Sequence, residues 1–459
     1  MIGFKQVYIL YLIPNLMKAA MKNFTNFSCL IPLLVTAALS GCGGGGNSTT
    51  SSTSSTSSAA TPFSVALIGD APYGLTATDT AEFTKNPSFI SAINSDKDVS
   101  MVLHTGDIHS GKQYCTQDYN QSIFNQWLSF AAPLVYIPGD NEWIDCQKAK
   151  QGGGTTNSYQ LGDPYANLDI VRSLFFSQPG KTLGKAAMSV NTQATQYDPK
   201  YPTDKAYVEN VWFEKSNVLF ATINMPGGSN NGASYLTSGF GALTIPATTQ
   251  NQEIANRTGA AFRWMDTVFA KAKANGDSAM VIMIQGDIWD LDSNPMSAQT
   301  LTEWKQYIDK LAVLTKDYGK PVLLINGDSH FYRSDNPFVK AADCKVEVPS
   351  TPIGKLSTAS ETCLASVTAG ALKPIIPDGA TYADPYRIVQ DKTNANYIPS
   401  YDVPNFHRLI VHGNATAAGT DMEYIKLTID PNKTGTAVTE KDGVGSFGPF
   451  SWTRVQPKL

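Results

Sequence analysis

Met101-Val102-Leu103-His104-Thr105-Gly106-Asp107 is an aliphatic run that stops abruptly at a Gly-Asp pair, and the pattern is written four more times in the chain. Val65-Ala66-Leu67-Ile68 precedes Gly69-Asp70, and Leu134-Val135-Tyr136-Ile137-Pro138 precedes Gly139-Asp140. Residues 280–285 lead into Gly286-Asp287, and residues 322–326 into Gly327-Asp328. Aliphatic and β-branched runs without polar alternation read as strands buried on both faces. Helical segments are expected between them at 79–94, 117–131, 252–274 and 298–318. Strand and helix therefore alternate, as in a layered α/β fold.

Ligands of open α/β sheets bind outside the carboxyl ends of the strands, which is where these aspartates fall. A single Gly-Asp pair is most simply a turn whose Asp caps the next helix. Five of them at strand ends imply a shared task. Glycine before each Asp lets the backbone turn sharply or approach a ligand closely. Clustered carboxylates repel one another unless a cation sits among them, so a hard metal site is the economical expectation.

Between Asp140 and the strand-like Val211-Trp212-Phe213, a stretch of about 144–210 is rich in Gly, Asn, Gln and Tyr and shows no obvious periodicity. It reads either as an insert able to cap the site or as a disordered loop. A hairpin is expected to turn at Lys215-Ser216-Asn217. Past Cys363, runs at 406–411 and 422–429 predict a second sheet.

The N-terminal region has its own signature. Met21-Lys22 is followed by an apolar run at 31–39 and by Leu39-Ser40-Gly41-Cys42. That is a lipobox: residues 1–41 read as a secretory signal, and Cys42 as a lipid acceptor in the bacterial cell envelope. The apolar run is too short to span a bilayer. Met17 and Met21 are alternative starts, and Gly43 gives no inner-membrane retention signal, so an outer-membrane address is expected. Residues 42–62 comprise that cysteine and a Gly/Ser/Thr tether whose mean reach is about 25 Å. The folded body is expected over 63–459.

Export has a consequence for the cysteines. Cys29 leaves with the signal, and Cys115, Cys146, Cys344 and Cys363 remain in an oxidising compartment. Four cysteines allow three pairings. Proximity in sequence favours Cys115 with Cys146 and Cys344 with Cys363, the first bridge contributing about 3–4 kcal/mol on the chain-entropy model.

With 459 residues and 42% hydrophobic content the chain can bury a large core. A net charge of -4 and a pI near 5.8 provide no basic footprint, which excludes nucleic acid as a backbone-bound partner.

The order and spacing of these blocks resemble the calcineurin-like metallophosphoesterases, whose motifs run D-x-H, G-D, G-N-H-[DE], a lone His after a strand, and G-H-x-H. The counterparts are Asp70-Ala71-Pro72, Gly106-Asp107, Gly139-Asp140-Asn141-Glu142, Gln285 and Gly327-Asp328-Ser329-His330, over about 63–429. The resemblance implies an α-β-β-α sandwich with a capping insert. It implies one cation held by Asp70, Asp107 and His330, with Pro72 in place of a histidine ligand. It implies a second held by Asp107, Asp140, Gln285 and Asp328, every nitrogen ligand there replaced by oxygen. Such a shell suits Mg²⁺, Mn²⁺ or Ca²⁺ better than Zn²⁺ or Cu²⁺.

The expected activity is hydrolysis of a small phosphoester on a lipid-anchored protein, the alternative being an inactive scaffold that keeps the fold. Asn141 stands where the family has a histidine that positions or protonates the ester, and His109 and Lys112 are the nearby substitutes. Asp287 and Asp290 are expected behind the ligands, with Asp287 an alternative to Gln285. Arg333 reads as a phosphoryl clamp or a salt bridge, and Trp143 and Tyr73 as a substrate wall or loop supports. His104 reads as a core histidine, and His407 and His412 carry no assigned chemistry.

Overall fold

All five aliphatic runs are strands in a computed structural model of the chain, which describes residues 60–232, 245–289, 298–339, 342–348, 360–362, 402–413 and 416–459. The signal, Cys42, the tether up to residue 59, Asp290 and Cys363 lie outside the described residues. All described residues fall within a compact unit spanning Ser58–Leu459. Among them no helix is long and apolar enough to cross a membrane.

The chain begins with β1 (Phe63–Ile68), α1 (Ala81–Ser95), β2 (Val99–His104), α2 (Gln117–Trp127) and β3 (Leu134–Tyr136). Short turns then carry α3 (Pro164–Phe175) and β4 (Asn191–Thr192), followed by β5 (Val211–Lys215) and β6 (Val218–Thr222). After the single turn α4 (Gly227–Asn230) come α5 (Ala247–Asn275), β7 (Ala279–Met283), α6 (Ala298–Tyr318) and β8 (Val322–Asn326). Next are β9 (Arg333–Asp335), β10 (Cys344–Glu347), β11 (Ser360–Thr362) and β12 (Phe406–Ile410). The C-terminal strands are β13 (Tyr424–Ile429), β14 (Val438–Lys441), β15 (Val444–Phe447) and β16 (Phe450–Val455).

They form two mixed sheets, ordered β14-β15-β16-β13-β1-β2-β3 and β11-β10-β9-β12-β8-β7-β6-β5-β4. The strands β1, β2 and β3 are parallel in the first, and β6, β7, β8 and β12 in the second. The lack of polar alternation in the sequence has its reason in the packing. Val65, Leu67, Met101 and Leu103 share an apolar cluster with Val281, Met283, Leu323 and Ile325 of the other sheet. The intervening Ala66, Ile68 and Val102 pack with Phe89, Ile93 and Trp127 of α1 and α2. Met280, Ile282 and Leu324 pack with Trp264 and Val268 of α5 and with Tyr307 and Leu311 of α6. Each large side chain so buried contributes about 1.5–3 kcal/mol.

The hairpin turns where expected: Ser216 and Asn217 both have positive φ, 51° and 61°, which matches the twist of the flanking strands. Two expectations change. The runs at 406–411 and 422–429 do not together make a second sheet. The first becomes β12, parallel to β8, and the second becomes β13, antiparallel to β1, so each sheet gains one strand. The stretch after Asp140 is structured: Asp163 accepts the N–H groups of Tyr165 and Ala166, Pro164 opens α3, and Arg172 reaches Glu209 at 2.6 Å. Trp143, Ile144 and Leu168 form a small apolar cluster beneath it.

Asp287 departs from the other Gly-Asp aspartates. Fully buried, it is gripped by Arg408 at 2.5 Å and Arg333 at 3.1 Å, and Arg408 also holds Asp335 at 2.6 Å. Burial opposes ionisation, but Arg408 and then Arg333 outweigh it and hold the carboxyl below its ordinary range. This decides between the sequence readings: Asp287 lies behind Asp328 rather than substituting for Gln285, and Arg333 is the expected ion-pair partner, buried, and not a phosphoryl clamp. Asp287→Ala leaves two guanidinium groups short of a counter-charge and is expected to lower the unfolding free energy by about 3–5 kcal/mol. Urea denaturation checks this; a loss under about 1 kcal/mol contradicts the pinning role.

Candidate metal centre

The remaining four Gly-Asp aspartates come together where the parallel strands of both sheets end. Their backbone is unusual: Asp70, Asp107 and Asp328 adopt φ of 49°, 57° and 78°, and His330 adopts 66°. Left-handed backbone at non-glycine residues costs on the order of 1–3 kcal/mol each and persists where surroundings enforce it, commonly at functional sites. Glycine makes the approach possible. A Cβ on Gly139 would stand 1.8 Å from Asp107 Oδ1.

Ligand atoms of Asp70, Asp107 and His330 lie within 4.8 Å of one another, as do those of Asp107, Asp140 and Asp328. Asp107 belongs to both triplets. Its Oδ2 accepts from Tyr73 Oη at 2.9 Å, Asn141 Nδ2 at 3.0 Å and Gln285 Nε2 at 3.2 Å, and its Oδ1 accepts from Asn141 N at 3.2 Å. Asp70 Oδ1 accepts from Asp328 N at 3.2 Å, while its buried Oδ2 has no hydrogen-bond partner among the described residues. Asp328 Oδ2 accepts from Asp287 N at 2.9 Å.

Burial above all, with repulsion from neighbouring carboxylates, raises three of these carboxyl groups. Asp70 is pushed up to about 8, Asp140 to about 7, and Asp107 well above its ordinary value. Burial, helped by the positive neighbours His412, Lys112 and Lys150, brings His330 down to about 4. His330 is therefore neutral near pH 7, the state in which imidazole ligates a metal. The residues fit a hard cation: crowded carboxylates, one orphaned buried oxygen and a neutral imidazole are groups that a divalent ion satisfies together.

A third trio, His109 with Cys115 and Cys146, is also close enough to hold an ion, but its chemistry forbids it. The two sulfurs are bonded to each other, with Cα atoms 5.6 Å apart, as the sequence predicted. A disulfide offers no thiolate. The bridge instead supports the site, since each sulfur lies 3.5 Å from the carbonyl oxygen of Asn141. Cys344 is disulfide-bonded too, and its expected partner Cys363 lies outside the described residues.

Other expected residues fall into place or away. His104 accepts from Gly106 N at 3.1 Å through Nδ1 and meets Ala71 O at 3.0 Å through Nε2, so it is a satisfied core histidine joining two loops. His109 packs edge-on against Tyr119 at 5.8 Å, and burial depresses it to about 4. The single proton of its neutral ring is donated from Nδ1 to Ser110 O, which leaves none for an ester and no link to the carboxylates among the described residues. Trp143 is fully buried and supports its loop. His407 bonds Ser334 Oγ at 2.9 Å, and His412 bonds Glu347 at 2.9 Å. In place of the oxygen expected of Gln285, its nitrogen faces Asp107 and Asp140, at 3.2 and 3.0 Å.

Sequence reasoning gave one participant, Tyr73, only as a substrate wall or loop support, and missed the roles of two others. Tyr73 is a hub rather than a wall: burial, then the Asp107 and Asp70 charges, hold its hydroxyl protonated far above the ordinary range, and it also accepts from Asn141 Nδ2 at 3.2 Å. Glu142 Oε1 accepts from Ile108 N at 3.0 Å and Tyr136 Oη at 2.9 Å, tying the Asp140 loop to the Asp107 loop. The Gly227-Gly228 turn lies against the carboxylates, a Cβ on Gly227 falling 2.4 Å from Asp328 Oδ1. The run Pro226-Gly227-Gly228-Ser229-Asn230-Asn231 directly after a strand was the available signal.

No family model and no curated protein matches the chain. The site is read from its own geometry.

Replacing both Cys115 and Cys146 by Ser reopens a link of sequence separation 31 behind Asn141. It should lower the unfolding free energy by about 3–4 kcal/mol in guanidinium titrations. An unchanged midpoint contradicts the bracing role.

Proposed function

We propose that the chain is a metal-dependent phosphoester hydrolase of metallophosphoesterase type, anchored to the cell envelope through Cys42. The observation that carries this reading is Asp107, common to two adjoining sets of ligands. A carboxylate shared between neighbouring positions is suited to bridging paired cations. The α-β-β-α sandwich it requires is supported by the apolar clusters, one joining the two sheets and one on the helix-covered face of each.

Carboxylate oxygens with a single imidazole favour Mg²⁺, Mn²⁺ or Ca²⁺. When bound, such a cation supplies Lewis-acid polarisation of a phosphoryl oxygen and acidifies a water. The chain's own residues do the rest. Asp70, Asp107 and neutral His330 define the position, and Tyr73 and Asn141 hold Asp107 in orientation. Asn141 Oδ1 and Lys150 Nζ lie 3.0 and 3.5 Å from the point where a Gly111 Cβ would stand, so an ammonium flanks the site. With Lys112, whose charge also acts on His330, it draws a small anionic ester towards the carboxylates. The insert at 144–210 carries Lys150, which supports its role as a cap.

Asn141 replaces the family's histidine, and His109 holds no transferable proton. General-acid help is ordinarily worth about 10²–10⁴-fold, so the site suits esters whose leaving group departs as a stable anion. A second reading, a scaffold that binds without turnover, draws on the hydrogen bonds by which Tyr73, Asn141 and Gln285 already satisfy Asp107.

Aryl and alkyl phosphomonoesters and diesters, assayed with Mn²⁺ or Mg²⁺, separate the two. The hydrolase reading expects metal-dependent cleavage of aryl esters, lowered by more than about 100-fold in Asp107→Asn. Bound metal with no turnover across the panel favours the scaffold.

A further inference from the structure

The two cation positions share a ligand but differ in what already surrounds them. At Asp70–Asp107–His330, the buried Oδ2 of Asp70 has no hydrogen-bond partner among the described residues. At Asp107–Asp140–Asp328, the side-chain amide of Gln285 stands between two of the three carboxylates. Its nitrogen donates to Asp107 Oδ2 at 3.2 Å and to Asp140 Oδ1 at 3.0 Å. An amide nitrogen has two protons, and both are used.

The orientation of that amide is set independently. Gln285 Oε1 accepts the backbone N–H of Gly227, so oxygen and nitrogen are distinguished by their partners. Nor can the side chain withdraw. Gln285 is fully buried, and its neighbours are fixed, with Ile284 N donating to Ile325 O at 3.1 Å and Gly286 N to Met225 O at 2.8 Å. The Gly227-Gly228 turn closes the other side, a Cβ on Gly228 falling 3.2 Å from Asp140 Oδ2. Lys148 pairs with Asp145, whose backbone N–H donates to Asp140 O at 2.9 Å.

Resting on the reading of this cluster as a cation centre, we propose that its two positions are unequal. One divalent cation binds at Asp70–Asp107–His330. The Asp107–Asp140–Asp328 position is occupied by the Gln285 amide and admits a second cation only when that amide turns over. Turning presents Oε1 to the cation but breaks three hydrogen bonds, including the one from Gly227. The second equivalent should therefore bind about 10- to 100-fold more weakly than the first.

The test is Mn²⁺ binding by the full chain, followed by equilibrium dialysis with metal analysis and by electron paramagnetic resonance. Wild type should take up one tight equivalent and give the six-line spectrum of an isolated Mn²⁺ ion. Gln285→His and Gln285→Glu, which place a ligand where the amide donates, should take up two at the same free Mn²⁺ and give an exchange-coupled spectrum. Two tight, coupled equivalents in wild type overturn the inequality while leaving the cation centre standing, and this needs no variant to fold. Folded variants that remain at one equivalent also overturn it. No bound Mn²⁺ in wild type removes the cation centre itself, and this inference with it.

Discussion

Four carboxylates are held close together, away from most solvent, where the strand ends of two sheets meet, and the surrounding structure answers that electrostatic load. Asp70 and Asp107 come from the first sheet's parallel strands, Asp140 from the loop after β3, and Asp328 from the loop after β8. Bringing them together requires glycine at the points of closest approach, left-handed backbone at three of the aspartates, and hydrogen-bond donors aimed at the oxygens. Asp107 alone receives Tyr73, Asn141 and Gln285. Those donors lessen the repulsion without removing it, since Asp70 retains a buried oxygen without a partner among the described residues. A divalent cation held by these residues would complete the balance.

Behind this front layer the loops are fastened by interactions that do not themselves face a ligand. The Cys115–Cys146 bridge sits beneath Asn141, Glu142 joins the Asp140 and Asp107 loops, and His104 joins the Asp107 and Asp70 loops. On the second sheet, Asp287 with Arg333 and Arg408 fixes the turn whose backbone N–H reaches Asp328. Fixed supports of this kind preserve the geometry of ligands that would otherwise spread apart.

Much of this was legible in the sequence because the relevant signals are local. Uninterrupted aliphatic runs announced β1, β2, β3, β7 and β8, and Gly-Asp marked the ends where four of the aspartates gather. The bounds of α6, at residues 298–318, were read directly. What could not be read depends on partners far along the chain. Asp287 carries the same Gly-Asp signature as its neighbours, yet Arg408, 121 residues away, turns it into a structural anion. Gln285 presents nitrogen rather than oxygen because Gly227, 58 residues earlier, takes its carbonyl. The strands β12 and β13 look alike in sequence and part company because β8 and β1 offer edges in different sheets. Asp163-Pro164 was a readable helix start masked by the polar composition around it.

The most direct test of the central claim is a crystal structure of the protein grown with Mn²⁺, with the anomalous signal used to locate the ion. The account predicts a peak about 2–2.5 Å from oxygens of Asp70 and Asp107 and from the His330 imidazole. A map without a peak there, with Tyr73 and Gln285 still bonded to Asp107, would contradict it and leave a carboxylate cluster balanced by the chain's own donors.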